Sequence, residues 1–341
     1  MNREELQSVL NEYRIHATYI EHITDRVAKV HTEKGTYALK NAVIKELGDF
    51  SRFHSMLIET GFKYYIPIYP TAENHLYVQR GEEIYYLMPW VPRNMRDDQN
   101  HMHLELFQAV GNLHQRTKKE WTFEQANYEK LYEATIEKWE KDEQLFEQFV
   151  ERSEKSWYMS PFELQVIMYF NETKQAYHFA KEKFQDWYEA IKENPIARGV
   201  LNHGHLSPSH LVKDDQNQYY LINFERSQFA SPVHDLITFL HRKLTSFPVQ
   251  CDECVQWLDK YEQIFPLSEA ENKMFLSYLA YPNPIFQIVK QYEEREGKRS
   301  ERDYCQRLIR RYWLMKNCEY VVMKWMQQKS PPPQSETPST S

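Results

Sequence analysis

The chain has 341 residues, a formal net charge of -7, 8 glycines and 4 cysteines. Charges of both signs run along its whole length, so there is no polybasic field for nucleic acid or anionic lipid. No apolar run approaches a membrane-spanning length, the polar start Met1-Asn-Arg-Glu-Glu5 is no secretory signal, and so few cysteines do not make a disulfide framework; cytosolic synthesis follows.

In chain order, residues 6–13 read as a short helix. Residues 26–31 and 36–40 then read as strands around the turn Glu33-Lys-Gly35. Helical periodicity over 50–60 stops at Gly61, and strands recur at 76–79 and 84–88 about a turn at Gly81. Met88-Pro-Trp-Val-Pro92 suits a connector, because two close prolines fit neither a helix nor a central strand. Beyond it the pattern is helical over 104–116, 128–151 and 161–191, and again from 231 to about 328. The aromatic stripes of the long helices read as packing core. His101 and His103 are placed on a solvated loop, and Cys251 and Cys254 are read as reduced thiols, since no second Cys or His pair stands at zinc spacing. The Pro-, Ser- and Thr-rich residues 330–341 read as a disordered tail.

Residues 199–229 break the helical pattern. Leu201-Asn-His-Gly-His-Leu-Ser-Pro-Ser-His-Leu211 leads through a turn at 213–217 to a strand, Gln218-Tyr-Tyr-Leu-Ile222, which ends at Asn223-Phe-Glu225. Two polar loops flanking a hairpin and ending at one edge are how kinase-like folds build a site. The segment resembles the aminoglycoside and choline phosphotransferase superfamily, whose loop reads His-Gly-Asp and then Asn, followed by Asp-Phe or Asp-Trp. His203-Gly204 matches that pattern. His205 stands where the family has its catalytic Asp, His210 where it has Asn, and Asn223 where it has the magnesium-binding Asp.

Other stretches agree with the resemblance. Val233-His-Asp235-Leu-Ile is similar to the family's structural Asp-Leu segment, which implies that Asp235 braces the loop. Tyr37-Ala-Leu-Lys40 resembles the third-strand lysine, which makes Lys40 a candidate contact for nucleotide phosphate. Tyr85-Tyr-Leu-Met-Pro-Trp90 looks like the hinge, and Gly111-Asn-Leu-His114-Gln resembles the family's helix end of leucine followed by histidine. The implied fold is α+β, bilobal and protein-kinase-like: a β-rich N-lobe over 1–90, a helical C-lobe over 91–329 and the tail over 330–341. Within the superfamily the chain looks most like the CotS and YutH spore-coat-associated proteins of endospore-forming bacteria, through Gly61-Phe-Lys-Tyr-Tyr-Ile-Pro67 and the Tyr-Tyr-Leu-Met hinge.

Phosphoryl transfer from ATP needs Mg²⁺, a hard ion that takes oxygen ligands. Asn223 offers a neutral amide oxygen and His210 a softer nitrogen; His205 can accept a proton, but a base without a metal lacks the larger electrostatic contribution. No glutamate stands clearly in the helix that usually pairs with the lysine, where Glu46 and Asp49 are only approximate candidates, and there is no Gly-rich loop between Ile23 and Val30. The expectation is a pseudokinase with no active catalytic residue, no metal and no cofactor, in which His203 is a hydrogen-bonded structural residue. The resemblance implies spore-coat proteins as partners and the forespore surface as destination; charge and hydropathy imply no nucleic-acid partner and no integral membrane segment. Three alternatives stay open: a divergent small-molecule phosphotransferase using ATP and Mg²⁺ with His205 as base, a sensor that binds without turnover, and a transition-metal site at His203, His205 and His210.

Overall fold

A computed structural model describes residues 3–44, 46–92, 99–244, 247–294 and 299–329. The tail expected over 330–341 lies outside the described residues. The fold is α+β and kinase-like, with a small antiparallel N-lobe sheet and a large helical C-lobe. By compactness the chain divides into two units. One runs to Lys119 and adds Arg198–Asp235 and Lys260–Pro266; the other holds Glu120–Ala197, Leu236–Asp259 and the chain from Leu267 on.

The first unit begins with helix α1 (Arg3–Glu12), followed by strands β1 (Tyr19–Thr24), β2 (Val27–Thr32) and β3 (Gly35–Val43) and helix α2 (Leu47–Glu59). Strands β4 (Val78–Arg80) and β5 (Glu83–Pro89) complete a five-stranded antiparallel sheet in the order β1-β2-β3-β5-β4. Strand β1 escapes sequence reading because Tyr-Ile-Glu-His-Ile-Thr is an edge strand, mostly exposed, with no apolar alternation.

Side chains alternate across a strand, so β3 and β5 each contribute to two cores. Leu39, Tyr85 and Leu87 pack with Leu6, Val9 and Leu10 of α1. Ala38, Ala42, Ile84, Tyr86 and Met88 face the other way, onto Phe50 of α2 and Val212. Lys40 shares the parity of Ala38 and Ala42, and the register pairs it directly with Tyr86. Strand alternation therefore turns one lysine inward, among apolar neighbours.

Helix α3 (Gln99–Thr117) follows, and it contains both His101 and His103. His103 is buried and not on a solvated loop, because the helix begins earlier than its apolar periodicity suggests. Strand β6 (Lys119–Thr122) leads to the long helices α4 (Gln125–Lys155) and α5 (Pro161–Glu193) of the second unit. Ser160 and Glu163 form a reciprocal capping box that starts α5 at Pro161. Around α5 pack α4, α8 (Glu269–Ala280) and α10 (Glu301–Lys329), while α9 (Asn283–Glu293) lies on α4 and α10. Among the described residues no helix is long and apolar enough to cross a membrane. Cys251 and Cys254, read as reduced thiols, are instead joined in a disulfide at the start of α7 (Asp252–Glu262), where a separation of three residues brings both side chains to one side of the turn.

Burial along β3 gives a direct test. Leu39→Ala empties a fully buried position and should lower stability by about 2 to 5 kcal/mol. Val43→Ala, on the same strand but exposed, should stay within about 0.5 kcal/mol. Urea unfolding of the two variants checks it; equal losses would mean that the two positions are not buried as described.

Candidate functional site

The candidate residues lie in the first unit, on β3, β5, α2, α3 and the segment between β7 (Ile196–Asn202) and α6 (Val233–Lys243). That segment holds the hairpin of β8 (Leu211–Lys213) and β9 (Tyr219–Leu221), and then β10 (Gln228–Ala230), which pairs with β7. The Leu221 N–H donates to Tyr64 O at 2.7 Å and the Ile222 N–H to His210 O at 2.9 Å. The first bond ties β9 to the segment at Tyr64, and the second joins the loop before β8 to the loop after β9 at one end of the hairpin.

Asp235 organises the first loop. Its carboxylate is fully buried and accepts the backbone N–H of His203 at 2.7 Å and that of Gly204 at 2.9 Å. His114 Nε2 lies 3.4 Å away, and His114 Nδ1 shares a hydrogen bond with the Tyr261 hydroxyl at 2.7 Å. Gly111, one turn earlier on α3, allows the close approach to Tyr261 and Ile264 that this bond requires. Burial would raise the Asp235 pKa, but His114, His203 and the backbone donors outweigh it and hold it below the usual carboxylate value. Asn202, which sequence reading did not single out, clamps the same junction: its amide donates to Ala230 O and Ser231 O, and its oxygen accepts from Asp235 N.

Gly204 is indispensable for a geometric reason. It sits at φ +77°, and a Cβ there would lie 2.0 Å from the carbonyl oxygen of Arg226. The His203-Gly204 loop therefore packs directly on the Asn223–Arg226 segment. The His203 Nε2–H donates to Ile222 O at 2.9 Å, while its Nδ1 accepts the His205 N–H at 3.3 Å. Both ring nitrogens are thus engaged by the backbone, and burial keeps the imidazole neutral by lowering its pKa. The His210 Nδ1–H donates to His205 O at 2.9 Å. Burial, reinforced by the neighbouring imidazoles, brings His210 down to about 4. The rings of His205 and His210 stand 5.1 Å apart.

The second loop holds Lys40. Asn223 takes a left-handed conformation at φ 73° and ψ 53°, which Asn tolerates better than most residues. Its Oδ1 accepts from the Lys40 ammonium, which also donates to Glu225 Oε1 at 2.7 Å. The Tyr86 hydroxyl donates to the same Glu225 oxygen, and the ammonium lies 5.2 Å from the centre of the Tyr86 ring. Burial pushes the Glu225 carboxyl up, but the Lys40 charge and the donated hydrogen bonds outweigh this and bring it to about 2. Burial likewise holds the Tyr86 hydroxyl well above its usual pKa, so it serves as a donor.

Glu225 is the functional residue that sequence reading left unused. In the sequence it is only the end of Asn223-Phe-Glu225, and the candidate partners for Lys40, Glu46 and Asp49, stand at α2. There the candidates do other work: Glu46 precedes the helix and Asp49 pairs with Arg52 at 2.9 Å. Buried on that helix stands His54 instead, sharing a hydrogen bond with Tyr65 through Nδ1, while its Nε2 has no hydrogen-bond partner among the described residues. Burial brings its pKa down to about 4, with Glu225 and Lys40 acting on it in opposite senses.

The reaction of kinase-like enzymes uses Mg²⁺, and the residues present do not fit that ion. His203 has no free nitrogen, the Asn223 oxygen is neutral and already engaged by Lys40, and His210 offers nitrogen. Among the described residues no group of three or more His, Cys, Asp or Glu side chains is arranged to hold a metal.

No protein-family model matches the chain, and no curated protein matches it. Solved structures do share its fold. An aminoglycoside phosphotransferase from Alicyclobacillus acidocaldarius aligns with TM-score 0.69 and 18% identity over 94% of this chain and 95% of that one. Spectinomycin phosphotransferase in complex with ADP and spectinomycin aligns with TM-score 0.53 and 12% identity, over 94% and 99%. The microcompartment-associated aminopropanol kinase aligns with TM-score 0.52 and 11% identity, over 96% and 98%. At these identities the likeness establishes the fold.

The buried imidazoles give the chain an acid signature. The His54 pKa falls to about 4 in the fold, from about 6.5 unfolded. A depressed folded value contributes stability that is fully present above pH 6.5 and lost as pH falls towards 4, on the order of 3 kcal/mol. Thermal melts should therefore drop over that window, and His54→Gln should flatten the drop. An unchanged slope would mean that His54 is not held neutral.

Proposed function

We propose that the chain is a pseudokinase: a protein of kinase-like fold whose site does not support Mg²⁺-dependent phosphoryl transfer. The observation that carries this reading is the donor set at the ends of the β8–β9 hairpin. Imidazoles stand at 205 and 210, and at 223 an amide whose oxygen accepts from Lys40. Phosphoryl transfer rests on positioning and on metal ions that neutralise charge on the phosphate oxygens. Oxygen ligands that include carboxylates supply that capacity; imidazole nitrogens and a lone amide already engaged by Lys40 do not.

The resemblance to CotS and YutH extends the proposal to biology. The chain acts as a binding or structural component associated with the spore coat, made in the cytosol of the mother cell and placed on the forespore surface among coat proteins. A fluorescent fusion followed through sporulation should concentrate on the forespore; an even cytosolic signal throughout would remove this assignment.

A second reading is a divergent small-molecule phosphotransferase using ATP. It is favoured by Lys40, which remains buried beside Asn223 and Glu225 in a fold shared with phosphotransferases. An ATP and Mg²⁺ titration separates the two readings. The wild type should show no Mg²⁺-dependent ATP binding by thermal shift. The triple variant His205→Asp, His210→Asn and Asn223→Asp, which adds two carboxylates and one amide, should gain it. Equal Mg²⁺·ATP stabilisation of both proteins, or robust phosphotransfer by the wild type, would overturn the pseudokinase reading.

A further inference from the structure

The disulfide at the start of α7 is a feature that the proposed site does not use. Cys251 stands one residue before the helix and Cys254 in its first turn, at a sequence separation of 3. The other two cysteines, Cys305 and Cys318, are free. A cross-link stabilises a fold chiefly by restricting the unfolded chain, and it does so least when it closes a short loop. Here the loop is short and its ends are already held by other bonds. The Cys254 N–H donates to Cys251 O at 3.2 Å. Before the pair, the Asn317 amide of α10 accepts the Val249 N–H at 3.0 Å and donates to Leu244 O and Phe247 O, each at 2.9 Å. After it, Asp252 accepts the Tyr320 hydroxyl of α10 at 2.6 Å. Backbone and neighbours thus bring the two sulfurs together whether or not they are bonded, which suits a bond that is made and broken.

The two sulfurs differ in access. Cys254 is fully buried, whereas Cys251 keeps 6% exposure and is flanked by exposed residues on both sides, 247–250 and 252–253. Cys254 also lies in the first turn of α7, where the unpaired N–H groups favour negative charge. Asp252 opposes this only weakly, because its carboxylate is bonded to Tyr320 and lies 3.8 Å from Lys324. Glu253 is exposed, so water and salt screen it. An incoming thiolate therefore meets Cys251, and the sulfur that leaves is the one whose thiolate the helix stabilises.

We infer that Cys251 and Cys254 form a redox site, a reversible dithiol–disulfide couple that exchanges with a soluble thiol through Cys251. A thiolate of the reductant attacks Cys251 Sγ. A new S–S bond forms there as the Cys251–Cys254 bond breaks, and Cys254 leaves with the electron pair and takes a proton from water. A second thiolate then attacks the reductant's sulfur in this mixed disulfide, and Cys251 leaves and is protonated in turn. The protein gains two electrons and two protons, and two thiols become one disulfide; oxidation runs through the same steps in reverse. The couple is independent of phosphoryl transfer and holds for either reading of the proposed function.

Glutathione is the probe. Full-length protein is equilibrated without denaturant in buffers of reduced and oxidised glutathione, free thiols are blocked with N-ethylmaleimide, and peptide mapping by mass spectrometry reads each cysteine. Cys251 and Cys254 should pass together from disulfide to blocked thiol across the series and return on reoxidation. Because the loop is short, the reduced form should melt within about 3 °C of the oxidised one. A pair that resists reduced glutathione until the chain is denatured, or whose reduction lowers the melting temperature by more, would be a structural cross-link and would overturn the inference. A pair that stays reduced in oxidised glutathione would overturn it as well. Single variants check the point of entry, while the wild-type series needs neither of them. In Cys254→Ser, oxidised glutathione should form a mixed disulfide at Cys251 at least tenfold faster than it does at Cys254 in Cys251→Ser. Equal rates, or a faster reaction at Cys254, would refute exchange through Cys251.

Discussion

A fully buried carboxylate is the constraint around which the site is built. Removing the Asp235 charge from water is costly, and the fold must return nearly all of the lost solvation. Two backbone N–H groups at 2.7 and 2.9 Å and the nearby imidazole of His114 do so. Each of these partners constrains a different piece of chain. The N–H groups fix the turn at His203-Gly204, His114 fixes α3, and through Tyr261 it fixes the segment at 260–266. Because Gly204 is pressed onto the Arg226 carbonyl, the same constraint passes to the loop that carries Asn223 and Glu225. The position of Lys40's partners is thus a consequence of how Asp235 is satisfied.

This architecture separates scaffold from chemistry. The residues that shape the loops form one connected set: Asn202, His203, Gly204, Asp235 and His114. The side chains at 205, 210 and 223 lie outside that set: His210 bonds through its carbonyl to Ile222 and through its ring to the His205 carbonyl, and Asn223 bonds through its side chain to Lys40. A site of this kind can lose its reactive groups while its loops keep their shape.

Much of this arrangement was legible in the sequence, because its signals are local. The resemblance at Tyr37-Ala-Leu-Lys40 singles out the lysine, and the spacing from His203 to Asn223 marks two loops joined by a hairpin. Signals that depend on distant partners were not legible. Glu225 meets Lys40 across 185 positions, and nothing in Asn-Phe-Glu distinguishes a buried carboxylate from a solvated one. His103 reads as polar but is buried on α3, because helix packing overrides the polar character of a single residue. His54 occupies α2 where kinase-like folds usually carry a carboxylate, and its burial depends on Phe50, Tyr65 and Phe224, which come from three separate segments.

The charge balance explains why a few side chains can decide the chemistry. Lys40 and Glu225 cancel each other, and three imidazoles are held neutral, so these groups present no net charge at neutral pH. A divalent ion gives up hydration when it binds and requires negative charge in return. Within a buried pair at 2.7 Å the attraction is too strong for a loosely bound ion to compete, since low polarity strengthens short contacts. Carboxylates at 205 and 223 would add two negative charges, the second beside the same lysine, without altering the left-handed turn at 223, which Asp tolerates as Asn does. Preference for a metal or for the lysine therefore follows from the local sum of charge, which side chains on an unchanged backbone can shift.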